Sequence, residues 1–207
     1  MLVPKKFLHY LLLVIVVVLT PFITKSAESA TQHKGIMMYP DVYEDTVAFV
    51  YGGDIWIAST EGGVATRITM HDGSEAFPRF SPDGSQIAFV GSYDGNSDVY
   101  VMNRYGGDIT RVTFHPGYDQ VIDWVPSKDK ILFSSSRNSH SRFNRLFLIS
   151  PDGTGLEELP LPEASYGAFS PEGKQIVYNK VSRERRNWKR YRGGTAQELY
   201  VYNFETQ

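Results

Sequence analysis

Beyond residue 35, short apolar runs alternate with clusters of glycine, proline and aspartate. The runs are four to six residues long and rich in valine, isoleucine, phenylalanine and tyrosine, as at residues 87–90 and 98–101. Apolar runs of this length between turn residues are typical of β-strands. The turns carry triplets such as Pro82-Asp83-Gly84 and Pro151-Asp152-Gly153, which supply the backbone angles that tight turns require. No helical periodicity longer than two turns follows residue 30, so the pattern predicts an all-β fold.

The strands and turns recur with a nearly fixed period. The segment Phe80-Ser81-Pro82-Asp83-Gly84 returns as Phe169-Ser170-Pro171-Glu172-Gly173, with a degenerate copy at residues 124–129 and a weaker one at residues 39–41. Intervals of 42, 44 and 45 residues separate the prolines of the four copies, Pro40, Pro82, Pro126 and Pro171. Two apolar strands follow each copy. After the first three copies a short third strand comes next, and a fourth strand leads into the next copy. Four short strands in such a period indicate a β-propeller blade.

The repeat therefore predicts an incomplete β-propeller over residues 39–207. We count about 3.5 four-stranded blades, near residues 40–81, 82–125, 126–170 and 171–207, whereas a closed propeller has about four to eight. A final half-blade could close the ring only by pairing with an N-terminal strand, and the linker at residues 30–38 is too short and too polar to supply one. We expect a truncated chain or a fragment of a longer protein. The alternative is an open β-sandwich with coincidental spacing, against which the three matching intervals argue.

The first 29 residues have the layout of a secretory signal peptide. Two lysines precede an apolar block centred on residues 11–19, Thr20 and Pro21 end it, and small residues follow. The best cleavage site lies directly after Ala27-Glu28-Ser29. An uncleaved membrane anchor is the alternative, although the apolar block at residues 7–23 is at the lower limit of length for a span. We expect an exported, periplasmic protein with no membrane contact apart from this segment.

Composition narrows the classes of function. The 207 residues include 21 basic and 23 acidic ones, and the formal charge of −2 gives no overall bias toward nucleic acid. The chain contains no cysteine, which excludes disulfides, thiolate metal sites and a cysteine nucleophile.

Serine catalysis has no support in the motifs. No Gly-x-Ser-x-Gly elbow occurs. The run Ser134-Ser135-Ser136 lies near His140 and Ser141 along the chain, but we expect these residues to end a strand and to fill the hairpin loop after it. His71 and His115 stand at matching positions of the repeat, which explains them better than catalysis does. We therefore predict no catalytic residue in this chain.

The sequence predicts no metal or cofactor site either. The segment Asp94-Gly95-Asn96-Ser97-Asp98 matches the opening of a calcium loop, with oxygen ligands at positions 1, 3 and 5. The match then fails, because Val99 replaces the glycine at position 6 and Tyr105 replaces the glutamate at position 12. We interpret this segment as a hairpin turn. Other acidic residues are interpreted as turn residues that bond neighbouring amides, namely Asp41, Asp83, Asp129, Asp152 and Glu172.

A basic stretch at residues 180–192 is the exception to the near-neutral charge. Seven cations stand there against one acid, Glu184, in what we expect to be a long insertion between two strands. Loops on a rigid scaffold often carry recognition, so we predict contact with a carboxylate-bearing ligand or a neighbouring domain. A solvated structural loop is the alternative, and export argues against nucleic acid. The candidate contact residues are Arg185, Arg186, Trp188, Lys189, Arg190, Tyr191 and Arg192.

The repeat motif resembles the propeller repeats of TolB and of tricorn protease. A more specific resemblance lies at residues 187–195, Asn-Trp-Lys-Arg-Tyr-Arg-Gly-Gly-Thr, followed by Glu198-Leu199-Tyr200-Val201. This segment is similar to the Trp-Lys-x-Tyr-Arg-Gly-Gly-Thr stretch in the first propeller of tricorn proteases. The start of the repeat, Pro40-Asp41 and then residues 45–50, is also similar to the start of that propeller. The resemblance covers roughly residues 36–207.

The resemblance implies the N-terminal portion of a six-bladed propeller in a larger protein that ends in a PDZ domain and a serine-peptidase core. It implies a part in scaffolding or gating the access of short peptides to that core, with no catalysis by this chain alone. The implied partners are peptides, neighbouring domains of the parent protein and a second copy of the chain. The alternatives are a non-catalytic, TolB-like periplasmic protein-binding propeller and the propeller of an amidohydrolase. The family's substrate-anchoring arginine pair is not transferred, because the matching loop at residues 115–121 has no arginine.

Overall fold

Four antiparallel sheets follow one another along the chain in a computed structural model that describes residues 35–139, 143–181, 193 and 196–206. Sheet 1 contains β1 (Met38–Tyr43), β2 (Thr46–Tyr51), β3 (Asp54–Ser59) and β4 (Thr66–Arg67). Sheet 2 contains β5 (Glu75–Phe80), β6 (Gln86–Gly91), β7 (Asp98–Asn103) and β8 (Ile109–Arg111). Sheet 3 contains β9 (Asp119–Trp124), β10 (Ile131–Ser135), β11 (Arg145–Ile149) and β12 (Glu157–Glu158). Sheet 4 contains β13 (Tyr166–Phe169), β14 (Gln175–Asn179) and β15 (Tyr200–Asn203).

The strands of each sheet are neighbours in chain order, so each sheet is a simple meander. The all-β prediction is confirmed. Within the described residues, no helix has the length and apolar character needed to cross a membrane. The predicted signal peptide at residues 1–29 lies outside the described part of the chain.

Each sheet begins one strand earlier than the repeat counted from the prolines. In sheet 2, β5 runs into the turn at Pro82-Asp83-Gly84, and its last residue Phe80 is in register with Ile87 of β6. A tight turn joins antiparallel neighbours, so the strands on its two sides pair with each other. The strand that leads into each proline therefore belongs to the sheet that follows it.

The weak copy at residues 39–41 has a different structural role from the other three. Tyr39 and Pro40 lie inside β1, where the register with β2 is interrupted between Met38 and Asp41. In β5 the same interruption falls at Phe77 and Pro78. Tyr39 and Phe77 have φ angles of 53° and 52° and their ring centroids are 4.1 Å apart. The segment is a β-bulge rather than a turn, so the interpretation of Asp41 as a turn residue is wrong.

The sheets pack face to face, and this packing explains why the strands of sheet 2 are unbroken apolar runs in the sequence. Successive side chains of a strand point to opposite faces. In sheet 2 one face packs on sheet 1 and the other on sheet 3, so both sets must be apolar. The face toward sheet 1 presents Ile87, Phe89, Tyr100 and Met102. The face toward sheet 3 presents Ala88, Val90, Val99 and Val101. A third cluster joins sheets 3 and 4 around Leu132, Leu146, Leu148 and Ile176.

The first strands of the sheets lie beside one another. β1 contacts β5, β5 contacts β9, and β9 contacts β13. Together these four strands form what we call the inner wall, which corresponds to the lining of the central channel in a propeller.

We expect alanine to destabilise the chain more at Gly84 than at Gly52. Both glycines have a φ angle of 67°, so each substitution forces a left-handed conformation at a cost of about 1–2 kcal/mol. A Cβ at Gly84 would also lie 2.2 Å from the ring of Tyr43, whereas nothing lies within 4 Å at Gly52. Urea unfolding should show a further loss of about 1 kcal/mol or more for Gly84→Ala. Equal losses would contradict the packing of this turn on sheet 1, and Tyr43→Ala should remove the difference.

Candidate functional site

The seven contact residues predicted in the basic stretch, Arg185, Arg186, Trp188, Lys189, Arg190, Tyr191 and Arg192, lie outside the described residues, as do His140 and Ser141. The neighbouring ends of the insertion are described. Lys180 lies with its Nζ 4.9 Å from the ring centroid of Tyr200, so a cation at the start of the insertion packs on the last strand of sheet 4.

The calcium-like segment is the loop of the β6–β7 hairpin. Asp98 begins β7, is fully buried, and accepts a hydrogen bond of 2.6 Å from Arg111. Asp94 lies 3.0 Å from the same guanidinium. Both carboxylates are thus occupied by arginine, and the described residues contain no group of three or more acidic or histidine side chains that could hold a metal ion.

The histidines at matching repeat positions make the same backbone contact. Nδ1 of His71 accepts a hydrogen bond of 2.9 Å from the amide of Gly73, and Nδ1 of His115 accepts one of 3.0 Å from the amide of Gly117. The two histidines therefore have the same structural role in successive connections. Each imidazole closes the connection that leads from one sheet to the next.

The serine run ends β10 as expected. Ser134 and Ser135 are buried. Oγ of Ser134 accepts a hydrogen bond from Asn144, and Oγ of Ser135 accepts one from the amide of Arg137. These hydroxyls support the β10–β11 loop.

Two of the predicted turn carboxylates have that role. Asp83 accepts hydrogen bonds from the hydroxyl of Ser81 at 2.6 Å and from the amide of Ser85 at 3.0 Å. These bonds favour the charged form and lower the pKa of Asp83 to about 2. Asp152 accepts a bond of 2.9 Å from the amide of Thr154 in the equivalent manner.

The inner wall carries a row of charges that the sequence analysis did not find. Asp41, Arg79 and Asp123 are in register with Ala48, Ala88 and Leu132, which are matching positions of the repeat. The three side chains therefore stand at one level of three neighbouring first strands. Charges alternate along the row, and Nη1 of Arg79 lies 3.9 Å from a carboxylate oxygen of Asp41.

Two members of the row bind the first strand of the next sheet. Asp41 accepts a hydrogen bond of 2.8 Å from the amide of Phe80 in β5. Arg79 donates one of 2.9 Å to the carbonyl of Ile122 in β9. Asp123 instead accepts from the amide of Trp124 on its own strand, at 2.8 Å. The charges thus join the first strands edge to edge and leave Asp123 as the exposed acid of the row.

Although Asp123 is exposed, the strands around it remove part of the hydration of its carboxylate. This loss raises its pKa above the ordinary value, against the lowering effects of the Trp124 amide and of Arg79. One level away on the wall, Gln120 of β9 donates a hydrogen bond to the hydroxyl of Tyr166 in β13. The wall therefore presents both charged and neutral hydrogen-bonding groups.

A second repeated feature, an ion pair between the third and fourth strands, occurs in sheets 1, 2 and 3. Arg67 and Arg111 pair with the acids that begin β3 and β7, at 2.8 Å for Asp54 and 2.6 Å for Asp98. In sheet 3 the signs are exchanged, because Arg145 begins β11 and pairs with Glu158 of β12. These pairs could have been found in the sequence, because their residues occupy matching positions of the repeat. At each such position, residues of opposite charge stand on neighbouring strands.

Buried acids also stand where the first strands of sheets 2 and 3 begin. Glu75 and Asp119 are the first residues of β5 and β9 and are 2% and 0% exposed. Asp119 pairs with Arg137, whose guanidinium also lies 5.0 Å from the ring centroid of Phe133. The carboxylate of Glu75 accepts hydrogen bonds from Tyr93 at 2.9 Å and Thr69 at 3.1 Å.

Residues 34–207 match the sequence model of a protein family, the tricorn protease N-terminal β-propeller domain. The chain belongs to this family. Tricorn protease homolog 1 of Streptomyces coelicolor is 30% identical over 166 residues, which are 80% of this chain and 16% of that protein. A crystal structure of the tricorn protease superposes with a TM-score of 0.69 at 27% identity, covering 81% of this chain and 17% of that one. The incomplete propeller and the tricorn resemblance are both confirmed.

TolB from Acinetobacter baumannii shares the fold alone. Its TM-score is 0.64 at 19% identity, and the superposition covers 83% of this chain and 42% of TolB. The family match therefore assigns the chain to a tricorn-type propeller, a domain of proteins that are much longer than this chain. This assignment is consistent with the prediction that the partners of the chain include neighbouring domains of a parent protein.

We expect Arg137→Met to destabilise the chain by about 3–5 kcal/mol, because the fully buried Asp119 loses its cation. Asp119→Asn in the same chain should restore much of the loss. Lys174→Met is the control, since Lys174 and Glu205 form an exposed pair of 2.8 Å whose contribution should be below about 1 kcal/mol. Chemical denaturation of the four proteins measures this, and equal losses at Arg137 and Lys174 would contradict the buried pair.

Proposed function

We propose that this chain is the N-terminal propeller portion of an exported, tricorn-like serine peptidase, in which it scaffolds or gates peptide access to a catalytic core outside this chain. The family match over residues 34–207 carries the proposal. The matched part is 16% of the length of tricorn protease homolog 1.

The described residues support a non-catalytic role. The buried hydroxyls of Ser134 and Ser135 contact a loop, and Nδ1 of His71 and of His115 closes a turn. A serine peptidase needs a nucleophile and a base within hydrogen-bond distance of each other. Among the described residues, these serines and histidines are not arranged in that way.

The inner wall has chemistry that suits passing peptides. A peptide carries a regular series of amide and carbonyl groups together with charged ends. Arg79 and Asp123 offer both signs of charge, and Gln120 and Tyr166 offer neutral donors and acceptors. Such a wall can hydrogen-bond peptide main chains of many sequences, which a gate requires more than tight selectivity.

The first test is peptide hydrolysis and peptide binding by the purified chain. We expect no hydrolysis of fluorogenic peptides, together with weak binding of short peptides in NMR titrations. Arg79→Met and Asp123→Asn should weaken that binding several-fold, whereas Lys174→Met, at an exposed turn, should not. Hydrolysis that copurifies with the chain would refute the non-catalytic role. Binding unchanged by both wall substitutions would refute the wall as the peptide surface.

The second test is export. A fusion of residues 1–40 to a phosphatase that is active only outside the cytoplasm should be active in bacterial cells. N-terminal sequencing of the secreted product should begin at Ala30. Activity with an intact N-terminus would favour the anchor, and an inactive fusion would refute export.

A further inference from the structure

The connections from sheet 1 to sheet 2 and from sheet 2 to sheet 3 are built alike around a buried acid. The amide of Glu75 donates to the carbonyl of Gly53 at 2.7 Å, and the amide of Asp119 donates to that of Ser97 at 2.9 Å. Each acid thereby fixes the start of a first strand to the preceding sheet.

A threonine completes each connection. The hydroxyl oxygen of Thr69 accepts the amide of Ile55 at 2.8 Å, and that of Thr113 accepts the amide of Val99 at 2.9 Å. Both threonines are 2% exposed. The two connections thus provide matched pairs of buried amides whose opening can be compared.

The connections differ in how the buried charge is neutralised. Asp119 contacts the guanidinium of Arg137. Within the described part of the chain, the carboxylate of Glu75 is held only by the hydroxyls of Tyr93 and Thr69 and forms no ion pair. Buried carboxylates without a cation carry a large cost of lost hydration.

The charged groups around Glu75 do not replace the missing cation. The negative charge of Asp54 in sheet 1 disfavours the ionised form of Glu75, and Asp54 is itself paired with Arg67. His71 of the connection favours the charged form, and its ring lies 3.9 Å from that of Tyr93, centroid to centroid. The phenol of Tyr93 stays neutral, because burial and the neighbouring Glu75 raise its pKa.

We propose that Glu75 makes the contact between sheets 1 and 2 a pH-sensitive latch, which is tight when its carboxyl group is protonated and loosens when that group ionises. The latch does not depend on the peptide-access proposal. A protonated Glu75 keeps both contacts, since the hydroxyl of Tyr93 can accept as well as donate. An ionised Glu75 can keep both hydrogen bonds, but it then places a charge without a cation in the interior, which destabilises the contact.

The direction of the pH dependence follows from the pKa of Glu75. Burial raises it above the ordinary value of 4.5, while the hydrogen bonds from Tyr93 and Thr69 lower it less. The folded chain therefore holds this proton more tightly than the unfolded chain. The stabilisation is complete below pH 4.5 and is lost as the pH rises through the raised value. Burial raises the pKa of Asp119 as well, against the lowering effects of a hydrogen bond from Ser135 and of the charge of Arg137. Because the guanidinium of Arg137 contacts Asp119, ionisation there gives a paired charge, so the second connection should respond less.

Hydrogen exchange across a pH series tests the latch. Protection factors, corrected for the intrinsic exchange rate, should fall for the amides of Ile55 and Glu75 as the pH rises above 4.5. Those of Val99 and Asp119 should fall less and serve as the internal control. In Glu75→Gln the amides at positions 55 and 75 should show no such fall. A carboxyl NMR titration of the wild-type chain should place the pKa of Glu75 above 4.5.

His71→Asn separates the carboxyl from the imidazole, because asparagine can still accept the amide of Gly73. The fall in the protection factor of the Ile55 amide with rising pH should persist in this variant. A flat profile for Ile55 in the wild-type chain would overturn the latch without any variant. A profile that Glu75→Gln leaves unchanged, or that His71→Asn abolishes, would also overturn it.

Discussion

The fold depends on the burial of both faces of each inner sheet. A four-stranded meander with two apolar faces is not stable alone, and stacking on neighbours removes both faces from water. In sheet 2 the alternation within β6 sends Phe89 toward sheet 1 and Ala88 toward sheet 3. Each large side chain that is fully buried contributes roughly 1.5–3 kcal/mol. Strand length, turn chemistry and the period of the repeat all serve this stacking.

Stacking also determines where polar chemistry can be placed. The faces between sheets are apolar, so charged side chains are found at the inner wall, at strand ends and in connections. Asp41 and Arg79 show how the wall uses them, since each bonds a main-chain group of the next first strand. A wall that is held together by polar contacts between sheets also presents polar groups to its surroundings, which is the property the peptide-access proposal uses.

Much of the fold could be predicted from the sequence because each copy of the repeat uses the same residue types in its turns and strands. The prolines and glycines of the turns and the Ile-Ala-Phe strands gave the fold class and the blade period. The bulges were missed because Tyr39 and Phe77 adopt positive φ angles without a glycine to signal them. The offset between repeat and sheet was missed because period alone does not say which neighbour a strand pairs with. The basic insertion was the most specific clue to the family, and its contacts lie outside the described residues.

The charged row and the buried acids were missed for another reason. Equivalent positions in a repeat share a backbone environment but need not share a charge. Asp41, Arg79 and Asp123 occupy one level of the wall with alternating signs, and the pair of Arg145 with Glu158 exchanges the signs seen in sheets 1 and 2. The same backbone thus gives contacts of different strength between successive sheets. Glu75 and Asp119 are the clearest case, because an identical main-chain connection holds one acid with hydroxyls and the other with a guanidinium. A repeat protein can in this way keep one architecture and still make a single connection responsive to its surroundings.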